Sequence, residues 1–128
     1  MRVLLDTHTF LWFISGDSRL GAQAKALVAD FSNEVVISVV SLWEIAIKVS
    51  LGKLTLARPF DDLIAEQLEL HEITWLAIEL EHLTAVISLP LHHRDPFDRL
   101  IAAQASVEGL PLVSKDRVFQ KYQIQVIW

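Results

Sequence analysis

The residues of this chain best suited to chemistry are acidic and widely separated: Asp6, Glu44, Asp98 and Asp116. Each stands where an apolar run gives way to a helix start. Asp6 follows Arg2-Val-Leu-Leu5, and Glu44 lies just beyond Val35-Val-Ile-Ser-Val-Val40. Asp98 closes His93-Arg-Asp-Pro-Phe-Asp98, and Asp116 follows Pro111-Leu-Val-Ser-Lys115. If the apolar runs are neighbouring parallel strands, all four carboxylates meet at one edge of one sheet. Like charges a few ångströms apart repel strongly, so such a cluster stays ionised only around a cation. Oxygen donors without cysteine ask for a hard ion, Mg²⁺ or Mn²⁺, and that ion points to phosphate chemistry.

The elements that must position these acids fit one domain over residues 1–128, long enough to bury its own core. A hydrophobic fraction of 52%, with four glycines and four prolines, argues for packed structure. No linker, repeat or charge block divides the chain. No apolar stretch approaches the ~20 residues that span a bilayer, and an acid at position 6 comes too early for a signal peptide. Without cysteine there is no disulfide, thiolate zinc site or sulfur nucleophile. A cytoplasmic location is the expectation. The net charge of −5 weakly disfavours a tight duplex binder, but with the four acids set aside it is −1. Arg94, Arg99, Lys115 and Arg117 stand beside the acids.

Val3–Leu5 reads as a strand apolar on both faces, followed by a helix from His8 to about Ser15. Ser18 or a neighbour is placed to cap a helix reaching about Phe31, and Glu34–Ser38 is a β-branched strand. Ser41-Leu-Trp-Glu44 has the form of a capping box opening a helix that ends at Gly52. Leu54–Arg58 is a short extended piece, and Pro59 with Asp61-Asp62 starts a helix to about Leu70. Glu72–Thr74 is a weak strand and Trp75–Leu89 a helix closed by Pro90. Asp95-Pro96 caps a helix to about Glu108, with Gly109 as its stop. Leu112–Ser114, a short helix from Asp116 to Lys121, and Gln125–Ile127 complete the chain. Alternating strands and helices predict a three-layer α/β/α fold around a mostly parallel sheet. Ligands bind such sheets beyond the carboxyl ends of the strands, at a switch in strand order.

Each acid also has a purely structural reading. Glu44 and Asp98 could reach back to the backbone N–H groups of Ser41 and Asp95, and the helix dipole favours first-turn acids by roughly 0.3–1 kcal/mol. Asp6 and Asp116 could be N-caps, each contributing about 1 kcal/mol. Recurrence of four acids at equivalent points favours the joint reading, and a cap can also be a ligand.

Leu4-Leu-Asp6-Thr-His-Thr-Phe-Leu-Trp12, Ser41-Leu-Trp-Glu44-Ile-Ala-Ile-Lys48, Asp95-Pro-Phe-Asp98-Arg-Leu-Ile-Ala-Ala-Gln-Ala105 and Leu112-Val-Ser-Lys-Asp116 resemble the blocks of PIN-domain ribonucleases. Within that family the chain is most similar to the VapC-type toxins of bacterial toxin–antitoxin modules, over nearly its whole length. The resemblance implies an endoribonuclease dependent on Mg²⁺ or Mn²⁺, with Asp6, Glu44, Asp98 and Asp116 as its acidic quartet. Asp116 matches the most variable of those positions. Asp95 reads first as the cap of Pro96 and then as an outer ligand, while Ser114 and Thr7 match hydroxyl positions near the metal. A water activated by the ion would hydrolyse the RNA phosphodiester. The resemblance also implies a homodimer through the Glu44 and Phe60–Leu70 helices, and a cognate antitoxin covering the active groove.

Other residues invite interpretation. His92-His93 beside Asp95 could form a two-histidine metal site, although adjacent side chains point apart. His8 reads as packing on its helix, and Trp12, Trp43 and Trp75 read as core anchors. Lys115, Arg94 and Arg99 are candidates to hold flanking phosphates. A receiver-like phosphoacceptor module is the rival class, but it needs an acidic pair after the first strand, and Asp6-Thr-His supplies one acid.

Overall fold

The computed structural model describes all of residues 1–128. Five parallel strands lie in the order β3-β2-β1-β4-β5: β1 (Arg2–Leu5), β2 (Glu34–Ser38), β3 (Thr74–Leu76), β4 (Leu112–Val113) and β5 (Val126–Ile127). The chain builds outward from β1 in one direction through β2 and β3. It then crosses to the other side of β1 for β4 and β5. The switch point therefore falls between β1 and β4, where Asp6 N–H bonds the Val113 carbonyl at 3.2 Å.

The central strands are apolar on both faces because both are covered. Val3, Leu5, Val35 and Ile37 point into one core with Phe10, Val28, Ile45 and Ile64. Leu4, Val36 and Leu112 point into the other with Ile101, Ala105, Phe119 and Tyr122. The first core is roofed by residues of α1 (Thr7–Ser15), α2 (Ala22–Ala29), α3 (Val39–Ser50) and α4 (Phe60–Leu70). The second lies under α6 (Pro96–Glu108) and the 3₁₀ turn Arg117–Tyr122, with α5 (Leu80–Ser88) packed on α6. The fold is the three-layer α/β/α sandwich expected from the sequence. Phe10 is wholly buried, which contributes roughly 1.5–3 kcal/mol relative to exposure.

A buried polar chain joins the second layer to the sheet. The Ser38 hydroxyl donates to Gln104 Oε1 at 2.5 Å and accepts the Val40 N–H, capping α3. Gln104 donates to the Ala77 carbonyl at 3.2 Å. His82, fully buried, accepts the Glu79 N–H on Nδ1, which leaves Nε2–H for Glu108 at 3.3 Å. No buried side-chain nitrogen or oxygen lacks a partner. No helix is long and apolar enough to cross a membrane.

Several local expectations need correction. Helix α3 begins at Val39, capped by Ser38, so Ser41-Leu-Trp-Glu44 is not a capping box and Glu44 sits in the second turn. Helix α2 starts only at Ala22, because Asp17 spends its carboxylate on the Arg19 backbone and guanidinium. Strand β3 is displaced to Thr74–Leu76 by a left-handed turn at Glu72 (φ 54°), so Trp75 lies in a strand and α5 begins at Leu80. Trp43 and Trp75 are 56% and 65% exposed, and neither anchors the core. Trp12 is half-buried, edge-on to Trp128, which itself packs on the first core.

Candidate active site

The turn that leaves β1 puts Asp6 at the cap of α1. Its Oδ1 accepts the Thr9 N–H at 2.9 Å, and Oδ2 accepts the Ser114 hydroxyl at 2.5 Å. Ser114 follows β4, so this bond spans the switch point. Glu44 reaches the same place from the second turn of α3. Thr7 donates its hydroxyl to Glu44 Oε1 at 2.7 Å and lies 2.9 Å from the Ser41 hydroxyl. Lys48, one turn further along α3, holds Glu44 Oε2 at 2.9 Å. Asp95 caps α6 by accepting the Phe97 and Asp98 N–H groups at 2.8 and 3.2 Å. Asp98 follows in the first turn. Asp116 caps the 3₁₀ turn through the Val118 N–H at 2.9 Å, while its other oxygen meets His93 Nε2 at 2.7 Å.

All four acids, with Asp95, line one cavity of about 360 Å³, which Thr7, His8, Trp12, Lys115 and Phe119 complete. Caps and cavity lining therefore coincide at Asp6 and Asp116. Burial pushes the Asp6 carboxyl above its ordinary range, against the lowering effect of the Ser114 and Thr9 bonds. Asp98 is pushed up to about 7, first by burial and then by the charges of Asp95, Glu44 and Asp6, with His93 opposing. Asp98 thus feels the charges of three neighbouring acids from separate parts of the chain. No three histidine, aspartate or glutamate side chains close tightly enough to form a ready metal cage. The space between them has room for a hydrated ion.

His92 and His93 do not pair on one ligand. His92 lies edge-on to Tyr122, and His93 is bound to Tyr122 and Asp116. Arg99 is not available to phosphate, because its guanidinium donates to the Val86, Leu89 and Pro90 carbonyls at the end of α5. Lys115 does border the cavity, and Arg94 is exposed. Sequence reasoning overlooked Lys48, although its spacing of four from Glu44 on a helix was the available signal. It gave Ser41 only a capping role and overlooked Tyr122, and the contacts of both are made across the fold.

An acid-lined cavity thus sits at the switch point of a five-stranded parallel sandwich. Residues 3–125 match the family model described as PIN domain, and the chain belongs to the PIN-domain family. Among characterised proteins it is similar to Ribonuclease VapC22 of Mycobacterium tuberculosis, with 30% identity covering 94% of this chain and 92% of that one. Its fold matches a chain in the crystal structure of VapBC2 from Rickettsia felis bound to a promoter DNA fragment, with a TM-score of 0.73 and 17% identity over 99% and 98% of the two chains. A toxin–antitoxin complex from Klebsiella pneumoniae gives a TM-score of 0.66 at 16% identity, over 98% and 96%. The sequence similarity to a VapC ribonuclease thus extends over 94% of the chain.

Proposed function

We propose that the protein is a divalent-cation-dependent endoribonuclease, the toxin of a VapBC-like toxin–antitoxin pair acting in the cytoplasm. The observation that carries this reading is the meeting of Asp6, Glu44, Asp98 and Asp116 around one cavity in a PIN-family chain 30% identical to a VapC ribonuclease. The donor set fits Mg²⁺ or Mn²⁺. Every candidate ligand is a carboxylate oxygen, and all four acids border the same cavity, the chemistry a hard cation prefers. Mg²⁺ dehydrates reluctantly and is usually held by one or two carboxylates with several waters, which suits acids set around an open space.

When bound, such an ion supplies a more acidic water and offsets charge on the phosphoryl oxygens. The rest is done by the chain. Ser114 and Thr9 fix both oxygens of Asp6, and Thr7 with Lys48 fix both of Glu44, so these two ligands are oriented before any ion arrives. Lys115 at the cavity rim is placed to hold a phosphate flanking the scissile one, with Arg94 as a second candidate. Single-stranded loops are the expected targets, since their backbone can enter a cleft of this kind.

For partners, the reading assigns a second copy of the chain to the apolar groove between α3, α4 and β3. Leu42, Trp43, Phe60, Ile64, Leu68 and Trp75 line it, and exposed tryptophans in a groove of about 750 Å³ are unusual for a surface left in water. An antitoxin segment would cover the acidic cavity. The experiment is cleavage of matched RNA and DNA oligonucleotides by purified protein with Mg²⁺, with EDTA, and by Asp6→Asn. RNA cleavage lost in the last two supports the reading. Full cleavage by Asp6→Asn, or phosphate-donor labelling without cleavage, overturns it.

A further inference from the structure

A hydrogen-bonded network that includes one of the cavity acids joins two segments distant in sequence. His93 Nε2 lies 2.7 Å from Asp116 Oδ2, and His93 Nδ1 lies 2.9 Å from the Tyr122 hydroxyl. That same hydroxyl accepts the His93 backbone N–H at 2.9 Å. With one lone pair so engaged, the phenol keeps its own proton to donate to Nδ1. The opposite tautomer would turn a ring lone pair toward the Asp116 carboxylate at hydrogen-bond distance. The network therefore places the ring proton on Nε2, donating to Asp116.

The ring has little freedom to leave. Its side chain is 10% exposed, it lies nearly parallel to Tyr122 (12° between planes, centroids 5.5 Å apart), and its centroid is 4.5 Å from that of Phe119. Both aromatics belong to the second core. Asp116, by contrast, is 41% exposed in its side chain, and its other oxygen is tied only to the Val118 N–H. A carboxylate bound through one oxygen can swing; bound through both, its plane is set.

We propose that His93, locked by Tyr122, is a positioning residue that sets the Asp116 carboxylate toward the shared cavity and ties the loop leading to Asp95 and Asp98 against the loop after β4. The proposal rests on the cation-binding reading of that cavity. Each Asp116 oxygen keeps a further lone pair, so donation from His93 leaves room for a ligand bond. Outer partners of this kind govern how well a carboxylate serves as a ligand.

The test is calorimetric titration of the full chain with Mn²⁺ at fixed pH, with melting curves in EDTA recorded for every variant. His93→Leu removes the donor, His93→Gln retains an amide N–H at similar reach, and Tyr122→Phe keeps the aromatic ring but frees the imidazole. The expected result is Mn²⁺ affinity at least about tenfold weaker in His93→Leu, an intermediate loss in Tyr122→Phe, and His93→Gln within about threefold of wild type. Restored affinity in His93→Gln is the readout that a merely structural histidine would not give. Wild-type affinity in His93→Leu, or His93→Gln as weak as His93→Leu, overturns the proposal. Should His93→Leu fail to fold, Tyr122→Phe decides, and unchanged affinity there overturns it. A wild-type chain that takes up no Mn²⁺ overturns the cation reading itself, and the proposal with it.

Discussion

Asp98→Asn tests whether these acids strain against one another in the metal-free protein. The unfolded carboxyl titrates near its ordinary 3.8, whereas in the fold it is pushed up to about 7 by burial and by Asp95, Glu44 and Asp6. Between those values the unfolded chain has released a proton that the folded chain retains. Stability therefore falls as pH rises from about 4 to about 7, then levels. A gap of roughly three units corresponds to at most ~4 kcal/mol. Because the carboxyl is only partly buried, solvent screening reduces the expected effect to about 1–2 kcal/mol. Asparagine has the same shape and no charge to repel. In EDTA at pH 8 the variant should melt about 3–6 °C higher than wild type, and at pH 5 only roughly a third of that gain should remain. Saturating Mg²⁺ should reverse the order, raising wild type more than the variant. Thermal and urea unfolding at the two pH values measure this directly. An equal gain at both, or a loss at pH 8, would refute the electrostatic reasoning.

Other outcomes follow from single contacts. Glu44→Gln, which keeps the Thr7 bond but removes the charge, should reduce RNA cleavage by about a hundredfold or more while the fold persists, as judged by circular dichroism. Arg99→Ala strips three carbonyls of their donor and should lower stability by about 1–3 kcal/mol, with RNA affinity of the folded protein unchanged; a reduced salt dependence of binding would instead restore Arg99 as a phosphate contact. Gly21→Ala would place a Cβ 2.9 Å from the Trp128 indole nitrogen, so unfolding free energy should drop by about 1–2 kcal/mol, with a change in tryptophan fluorescence. Light scattering should give a dimer mass that falls to monomer for Trp43→Glu, since a charge in the apolar groove opposes burial.

The architecture was legible because its signals are local. Short β-branched runs such as Glu34–Ser38 and the Asp95-Pro96 and Gly109 punctuation carry their element types within a few residues. The convergence of the acids was inferable only jointly, since no spacing says that β1 lies between β2 and β4. Glu44 was found for an inaccurate local reason: helix α3 starts earlier than the Ser41 motif implies, because the Ser38 hydroxyl captures the Val40 N–H first. Arg99 looked like a phosphate ligand because sequence proximity to Asp98 is visible and its distance from the α5 carbonyls is not. The exposure of Trp43 and Trp75 was likewise hidden, since helical or strand periodicity reports that a face is apolar and not what covers it. His93–Tyr122–Asp116 has no local signature at all.

The most direct measurement of the central claim is an anomalous difference map from crystals soaked in Mn²⁺. The account predicts an ion inside the cavity bordered by Asp6, Glu44, Asp98 and Asp116, with at least one of these carboxylates in its coordination sphere and water completing it. Well-ordered crystals saturated with Mn²⁺ that show no peak there, or a peak only elsewhere on the chain, would contradict it.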